Sequence, residues 1–201
     1  MGPEKRRKAI LGAGLAVFAE DGFAAAKLED VAAKAGIAKG TIYLYFDDKQ
    51  DLFEQIVRDA VAPVLARLQG VAAMPDLPTD TLLAQLFELF RNEILGTNRR
   101  LVTRLVLTEG ARFPKIAAFY HREVIAKGLE LIKLVAQRGV ARGEIAPNGL
   151  ERFPHLVFAP LLLTLLWEGL FSKFDPLDVE GLLATHRKFL TVAPGDRRPS
   201  P

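Results

Sequence analysis

Between Lys39 and Lys49 the chain reads Lys-Gly-Thr-Ile-Tyr-Leu-Tyr-Phe-Asp-Asp-Lys, a concentration of cationic, hydroxyl and aromatic side chains. Such groups suit the recognition of a nucleic-acid duplex. Lys39 and Lys49 can neutralise phosphates, and the Tyr43 and Tyr45 hydroxyls can donate to phosphate oxygens. Thr41 and Leu44 can meet base edges or a thymine methyl, while Gly40 allows close backbone approach. Lys27, and Lys5, Arg6 and Arg7 in the basic arm at the start of the chain, add cations to the same end.

Other chemistries find little support. His121, His155 and His186 lie far apart, without a His-Glu-x-x-His or Gly-x-Ser-x-Gly pattern, and cysteine is absent, which excludes disulfides and thiolate metal sites. Gly12-Ala13-Gly14 lacks the third glycine and the preceding strand of a dinucleotide loop, and is read as the small-residue face of a helix. No catalytic residue, metal or cofactor is therefore assigned.

Stepping outward from Lys39–Lys49, apolar residues recur at helical spacing along the whole chain and period-two alternation is scarce. The predicted fold is all-α, with about nine helices: an N-terminal three-helix helix-turn-helix domain (1–47), then a helical-bundle ligand-binding and dimerisation domain (48–193). The remainder, 194–201, has the composition of a disordered tail. The first helix, about Glu4 to Asp21, turns Ile10, Ala13, Val17 and Phe18 inward and stops at Gly22. Gly36 turns the chain between the second and third helices, and Ile42 and Phe46, four apart, face the first two. Asp47 to Gln50 has capping-box spacing for a fourth helix kinked at Pro63. Thr79 can cap the fifth, Pro114 opens a long seventh helix, and the last two cover about 150–172 and 176–191.

With 201 residues, half of them apolar, the chain can bury a sizeable core. Its net charge of +3 is mild, and nine Lys/Arg balance nine Asp/Glu within residues 1–58, so an argument for nucleic acid rests on where the cations sit. The apolar window 156–167 is too short for a bilayer span of about 20 residues, and no signal peptide is read at the start. A cytoplasmic, membrane-free protein is expected.

Residues 9–58 resemble the DNA-binding domain of the TetR family of bacterial transcriptional repressors. The likeness is carried by Ile10, Phe18-Ala19 and Gly22-Phe23, then Val31-Ala32, Ala35 through Tyr43, Tyr45-Phe46, Lys49 and Leu52-Phe53. It implies an all-helical homodimer whose third helix enters the major groove, with Lys49 holding phosphate and the remaining helices receiving a ligand. Two departures stand out. Lys27 and Ala38 replace the hydroxyl residues that often cap the second and third helices, at a cost of about 0.5–2 kcal/mol per missing cap. Tyr45 stands where the family often has His.

The C-terminal half resembles the family more loosely, and Leu105 to Pro114 followed by Phe119-Tyr120-His121 is similar to its AefR-like branch. Candidate lining residues for a hydrophobic or aromatic small-molecule effector are Phe87, Phe90, Arg104, Leu107, Phe113, Tyr120, His121, Phe158, Leu162, Trp167 and Phe171, with Arg104 or His121 orienting a polar group. For a two-fold interface the candidates are Val157, Leu161, Leu165, Val179, Leu182, Leu183, His186 and Leu190. Such a dimer predicts a near-palindromic double-stranded operator. The competing expectation is a helical small-molecule carrier without DNA affinity.

Overall fold

The computed structural model describes residues 2–146 and 149–191. The tail expected at 194–201, and Pro147 and Asn148 of the expected break, lie outside the described residues. Nine helical rods are present among those described: α1 (Pro3–Ala25), α2 (Leu28–Lys34), α3 (Lys39–Ile42), α4 (Lys49–Ala72), α5 (Thr79–Leu89) continued by a π-helical turn at Phe90–Leu95, α6 (Arg99–Glu109), α7 (Pro114–Tyr120) joined through a π turn at His121–Ile125 to α8 (Ala126–Ala141), α9 (His155–Leu170) and α10 (Val179–Leu190). This is the all-α arrangement of a helix-turn-helix followed by a bundle. Among the described residues no helix is long and apolar enough to cross a membrane.

The contacts divide the chain into two compact units. One holds the chain up to Pro63 together with Asn98–Val124, the other Val64–Thr97 and the chain from Ile125 onward.

In the first unit Ile10, Val17, Phe18, Val31, Ile42, Phe46, Leu52 and Phe53 are all buried. Gly22 breaks α1 at φ 75°, a left-handed conformation that glycine adopts without a Cβ penalty, and the following residues swing Phe23 into the core. There the Phe23 ring packs 5.3 Å from Phe18, 6.0 Å from Phe53 and 4.9 Å from Phe113. That last contact draws 98–124 into the unit. Gly14 lies mid-helix where a Cβ would stand 2.9 Å from a Leu52 methyl, so the small-residue face is a packing device between α1 and α4.

Two caps differ from expectation. The α4 cap lies one residue later than Asp47: Asp48 Oδ1 accepts from the Asp51 amide at 2.8 Å, and Asp51 Oδ2 reaches back to the Asp47 amide at 3.2 Å. Thr79 does not cap α5 with its hydroxyl. It is the first residue inside that helix, fully buried, and its own amide donates to Glu144 Oε2 at 2.7 Å. A carboxylate from a distant segment thus does what the local hydroxyl was expected to do.

The second unit is built around Leu83, Leu86, Phe87, Ile132, Ala136, Ile145, Leu150, Val157, Leu161, Leu183 and Leu190. Four residues expected on a dimer face, Val157, Leu161, Leu183 and Leu190, are therefore in the unit's own core, because α9 and α10 pack their inward stripes on each other and α10 also packs on α5. Leu165, Val179, Leu182 and His186 are half-buried. The apolar residues left open in this region include Leu156, Leu162, Leu163, Leu166, Leu170, Phe171, Phe174 and Phe189, with Phe189 78% exposed.

Candidate nucleic-acid interface

The site is assembled by α2, the Gly36 turn and α3. Glu29 and Asp30 occupy the first turn of α2, where carboxylates complement the positive helix end, and Lys27 precedes it without a side-chain capping bond. Gly36 at φ 67° reverses the chain, closed by the Ile37 amide on the Ala32 carbonyl at 3.0 Å and the Gly36 amide on Ala33 at 3.1 Å. Ala38 then leads uncapped into α3, whose last turn is carried to Phe46 by its amide on the Ile42 carbonyl at 3.1 Å.

Ile42 and Phe46 are buried, as their spacing predicts, and this fixes which side of α3 faces out. Lys39, Gly40 and Tyr43 are exposed, Thr41 and Tyr45 half-buried, and Leu44 stands 82% exposed.

The cations are less free than the sequence suggests. Lys39 lies 3.1 Å from Glu29 Oε1, and the Tyr43 hydroxyl donates to the same oxygen at 3.2 Å. A bond from its own backbone amide, reinforced by Lys39 and Tyr43, holds the Glu29 carboxyl below its usual range. Desolvation and then the Glu29 carboxylate push the Tyr43 phenol up. Lys5, Arg6 and Arg7 lie within the first turns of α1 and not on a separate arm. Arg7 Nη2 donates to Gln55 Oε1 at 2.9 Å, while Lys5 and Lys27 are exposed. Lys49, a candidate for phosphate, donates to the carbonyls of Phe23 and Ala24, both at 2.8 Å, and of Ala26 at 3.4 Å. The end of α1 leaves unpaired carbonyls that attract a cation, and Lys49 at the start of α4 meets them.

The residues expected to line one pocket are shared between the two units, and their exposure differs from residue to residue. Arg104 and His121 are exposed, as is Leu107; an arginine or histidine on an open helix face keeps its hydration, so neither serves as a buried polar anchor. Phe113 packs on Phe23, and the buried Tyr120 pairs its hydroxyl with Thr103 Oγ1 at 2.9 Å. These five belong to the first unit, and the remaining six to the second. Of those, Phe87 is core, Phe90, Phe158 and Trp167 are half-buried, and Leu162 and Phe171 are exposed, the last packing edge-on against Trp167 at 5.2 Å. The space beneath Leu68, Leu82, Leu86 and Ile132 is only about 20 Å³, so side chains fill this part of the bundle.

A groove of about 470 Å³ within the second unit is lined instead by residues that sequence reasoning passed over, among them Gln69, Lys127, Glu130, Leu131, Leu134 and Arg138. Arg138 Nη1 donates to the carbonyls of Ala72 at 3.0 Å and Met74 at 3.1 Å, while its Nε and Nη2 are buried without a partner. The only signal was apolar residues of α8 three and four apart, Leu131, Leu134 and Val135, set among charges.

Comparison with known proteins gives a consistent picture. Residues 10–56 match the family model described as bacterial regulatory proteins, tetR family. Residues 77–185, over half of the chain, match the one described as tetracyclin repressor-like, C-terminal domain. The HTH-type transcriptional regulator SrpR of Pseudomonas putida is 25% identical over 172 residues, covering 85% of this chain and 78% of its own. The regulator UidR of Escherichia coli K12 is 27% identical over 149 residues, 71% of this chain and 70% of its own. Among solved structures, FadR of Bacillus subtilis in complex with stearoyl-CoA superposes with a TM-score of 0.76 at 22% identity, covering 90% of this chain and 97% of that one. The SmeT–triclosan complex does so at 0.76 and 20% identity, covering 98% and 96%. At such identity these likenesses speak for the fold alone. The two matched models and the helix-turn-helix at their head place the chain in the TetR family of bacterial regulatory proteins.

Proposed function

We propose that this protein is a ligand-responsive, homodimeric transcriptional repressor that binds a near-palindromic DNA operator through α3. The observation that carries the reading is the two-sidedness of α3 and its following turn: Ile42 and Phe46 buried, Lys39, Gly40, Tyr43 and Leu44 turned to solvent. Thr41 and Leu44 are the candidates for base edges, and Lys27, Lys39, Tyr43 and Tyr45 for phosphates. Open apolar residues on α9 and α10 support self-association, because a second copy would remove Leu163, Leu170 and Phe189 from water.

The effector is proposed to be a small hydrophobic or aromatic molecule. SmeT, a protein of this fold, is known with the aromatic triclosan and FadR with the acyl chain of stearoyl-CoA, and the groove beside Leu131, Leu134 and Arg138 offers apolar surface with a cation among its lining residues. For release, the effector must bind the DNA-incompetent state more tightly than the competent one. α4, unbroken from Lys49 to Ala72, is the element proposed to carry that bias. Placement in the AefR-like branch rests on residues 105–121 alone.

The test is selection of the purified protein on random-sequence DNA with sequencing of the enriched pool, at two salt concentrations. A recovered near-palindrome supports the reading. Weak, sequence-blind binding at both concentrations would favour a helical carrier protein instead.

A further inference from the structure

Glu29 is not among the residues that point to DNA by type, yet it holds two of them. It sits in the first turn of α2, and one of its oxygens is within 3.1 Å of Lys39 Nζ and 3.2 Å of the Tyr43 hydroxyl. Lys39 and Tyr43 are four residues apart on and just after α3, one helical turn, so a single acceptor spans both. A carboxylate oxygen receiving a cation and a hydroxyl together presents what a backbone phosphate oxygen presents. The Lys39 side chain is 69% exposed and that of Glu29 37%, so the triad lies at the surface that α3 turns outward.

We propose that Glu29 is an intramolecular stand-in for a DNA phosphate: it positions Lys39 and Tyr43 while the protein is off DNA, and a backbone phosphate displaces it from both on binding. The proposal rests on the DNA-binding reading above. Its consequences are quantitative. Lys39 is internally compensated, so part of the counterion release that an unpaired lysine would bring is absent, and Glu29 remains as a negative charge beside the incoming phosphate. Glu29 thereby limits affinity for any duplex, whatever its sequence.

The experiment is fluorescence anisotropy of a labelled random-sequence duplex with the full chain, over a salt series, for the wild type, Glu29→Gln, Lys39→Met with Tyr43→Phe, and the combined triple variant. Glu29→Gln is expected to bind about threefold or more tighter near 0.1 M salt, with a salt slope steeper by about one. In the Lys39→Met, Tyr43→Phe background the same substitution should gain much less. Unchanged or weaker binding by Glu29→Gln overturns the proposal, as does an undiminished gain in that background, which would mark a general charge effect. Thermal melts confirm that each variant is folded. A wild type that binds no DNA would sink the regulator reading itself, whereas a binding wild type with no Glu29 effect sinks only this inference.

Discussion

The Lys49 ammonium donates to the Phe23 carbonyl at 2.8 Å while lying 5.0 Å from the centre of the same residue's ring. One cation thus closes the end of the first helix and faces the aromatic cluster that the Gly22 break delivers. Lys49→Met keeps the aliphatic stem and removes the three donated bonds, leaving the carbonyls of Phe23, Ala24 and Ala26 without that donor. A loss of about 1–3 kcal/mol is expected in urea unfolding. Stability unchanged by the substitution would mean that these bonds add little to the fold.

Leu44 separates binding from folding. Its side chain is 82% exposed, so Leu44→Ala should change stability by no more than about 0.5 kcal/mol. Binding to a selected operator is expected to weaken by about tenfold with little effect on random duplex, as befits a base contact. Equal loss on both DNAs would assign Leu44 to the backbone.

Gly139 is closely packed within the second unit. A Cβ there would stand 2.8 Å from both Ile145 Cδ1 and Thr79 Oγ1, in a place where Thr79 is fully buried. Gly139→Ala should cost about 1–3 kcal/mol through overpacking, read as a lowered melting temperature. A neutral or stabilising result would mean that the Thr79 end of α5 gives way easily.

Burial lowers the His186 imidazole from its usual 6.5, against the opposing pull of the Leu156 carbonyl that Nε2 contacts at 2.9 Å. With a folded-state pKa below the unfolded one, the unfolded chain binds more protons. The contribution is therefore intact above 6.5 and is lost as pH falls through 6.5 towards the lower folded-state value. His186→Gln should flatten the pH dependence of unfolding free energy in that acid window, and an identical slope in the variant would show that other groups set it.

Self-association can be tested on the open residues of the last two helices. Leu170 and Phe189 are 59% and 78% exposed, so Leu170→Lys combined with Phe189→Glu should leave the fold intact and yield a monomer in sedimentation. A dimer that survives both changes would place the interface elsewhere.

The head was legible in the sequence because its signals are local: apolar spacing placed Ile10, Val17, Ile42 and Phe46 inside, and Gly22 and Gly36 marked the two reversals. The roles of Lys49, Thr79 and Glu29 were not, since each is decided by a partner distant in the chain: Phe23, Glu144 and Lys39 with Tyr43. The last two helices show a third difficulty. Apolar residues surround α9 so fully that periodicity could not tell its inner stripe, with Val157 and Leu161, from its outer one, with Leu163 and Leu170. Likewise, Arg104 and His121 are polar residues in an apolar stretch, yet a helix can turn such residues to solvent without interrupting its buried face.

The contact between Phe23 and Phe113 bears on how this molecule can be re-engineered. Because the first unit takes in Asn98–Val124 as well as the chain to Pro63, a fusion that cuts once after the helix-turn-helix would strip an aromatic wall from the head it means to transplant. Chimeric sensors that graft this head onto another effector domain should therefore exchange two stretches of chain together, with crossover points near residues 63, 97 and 124.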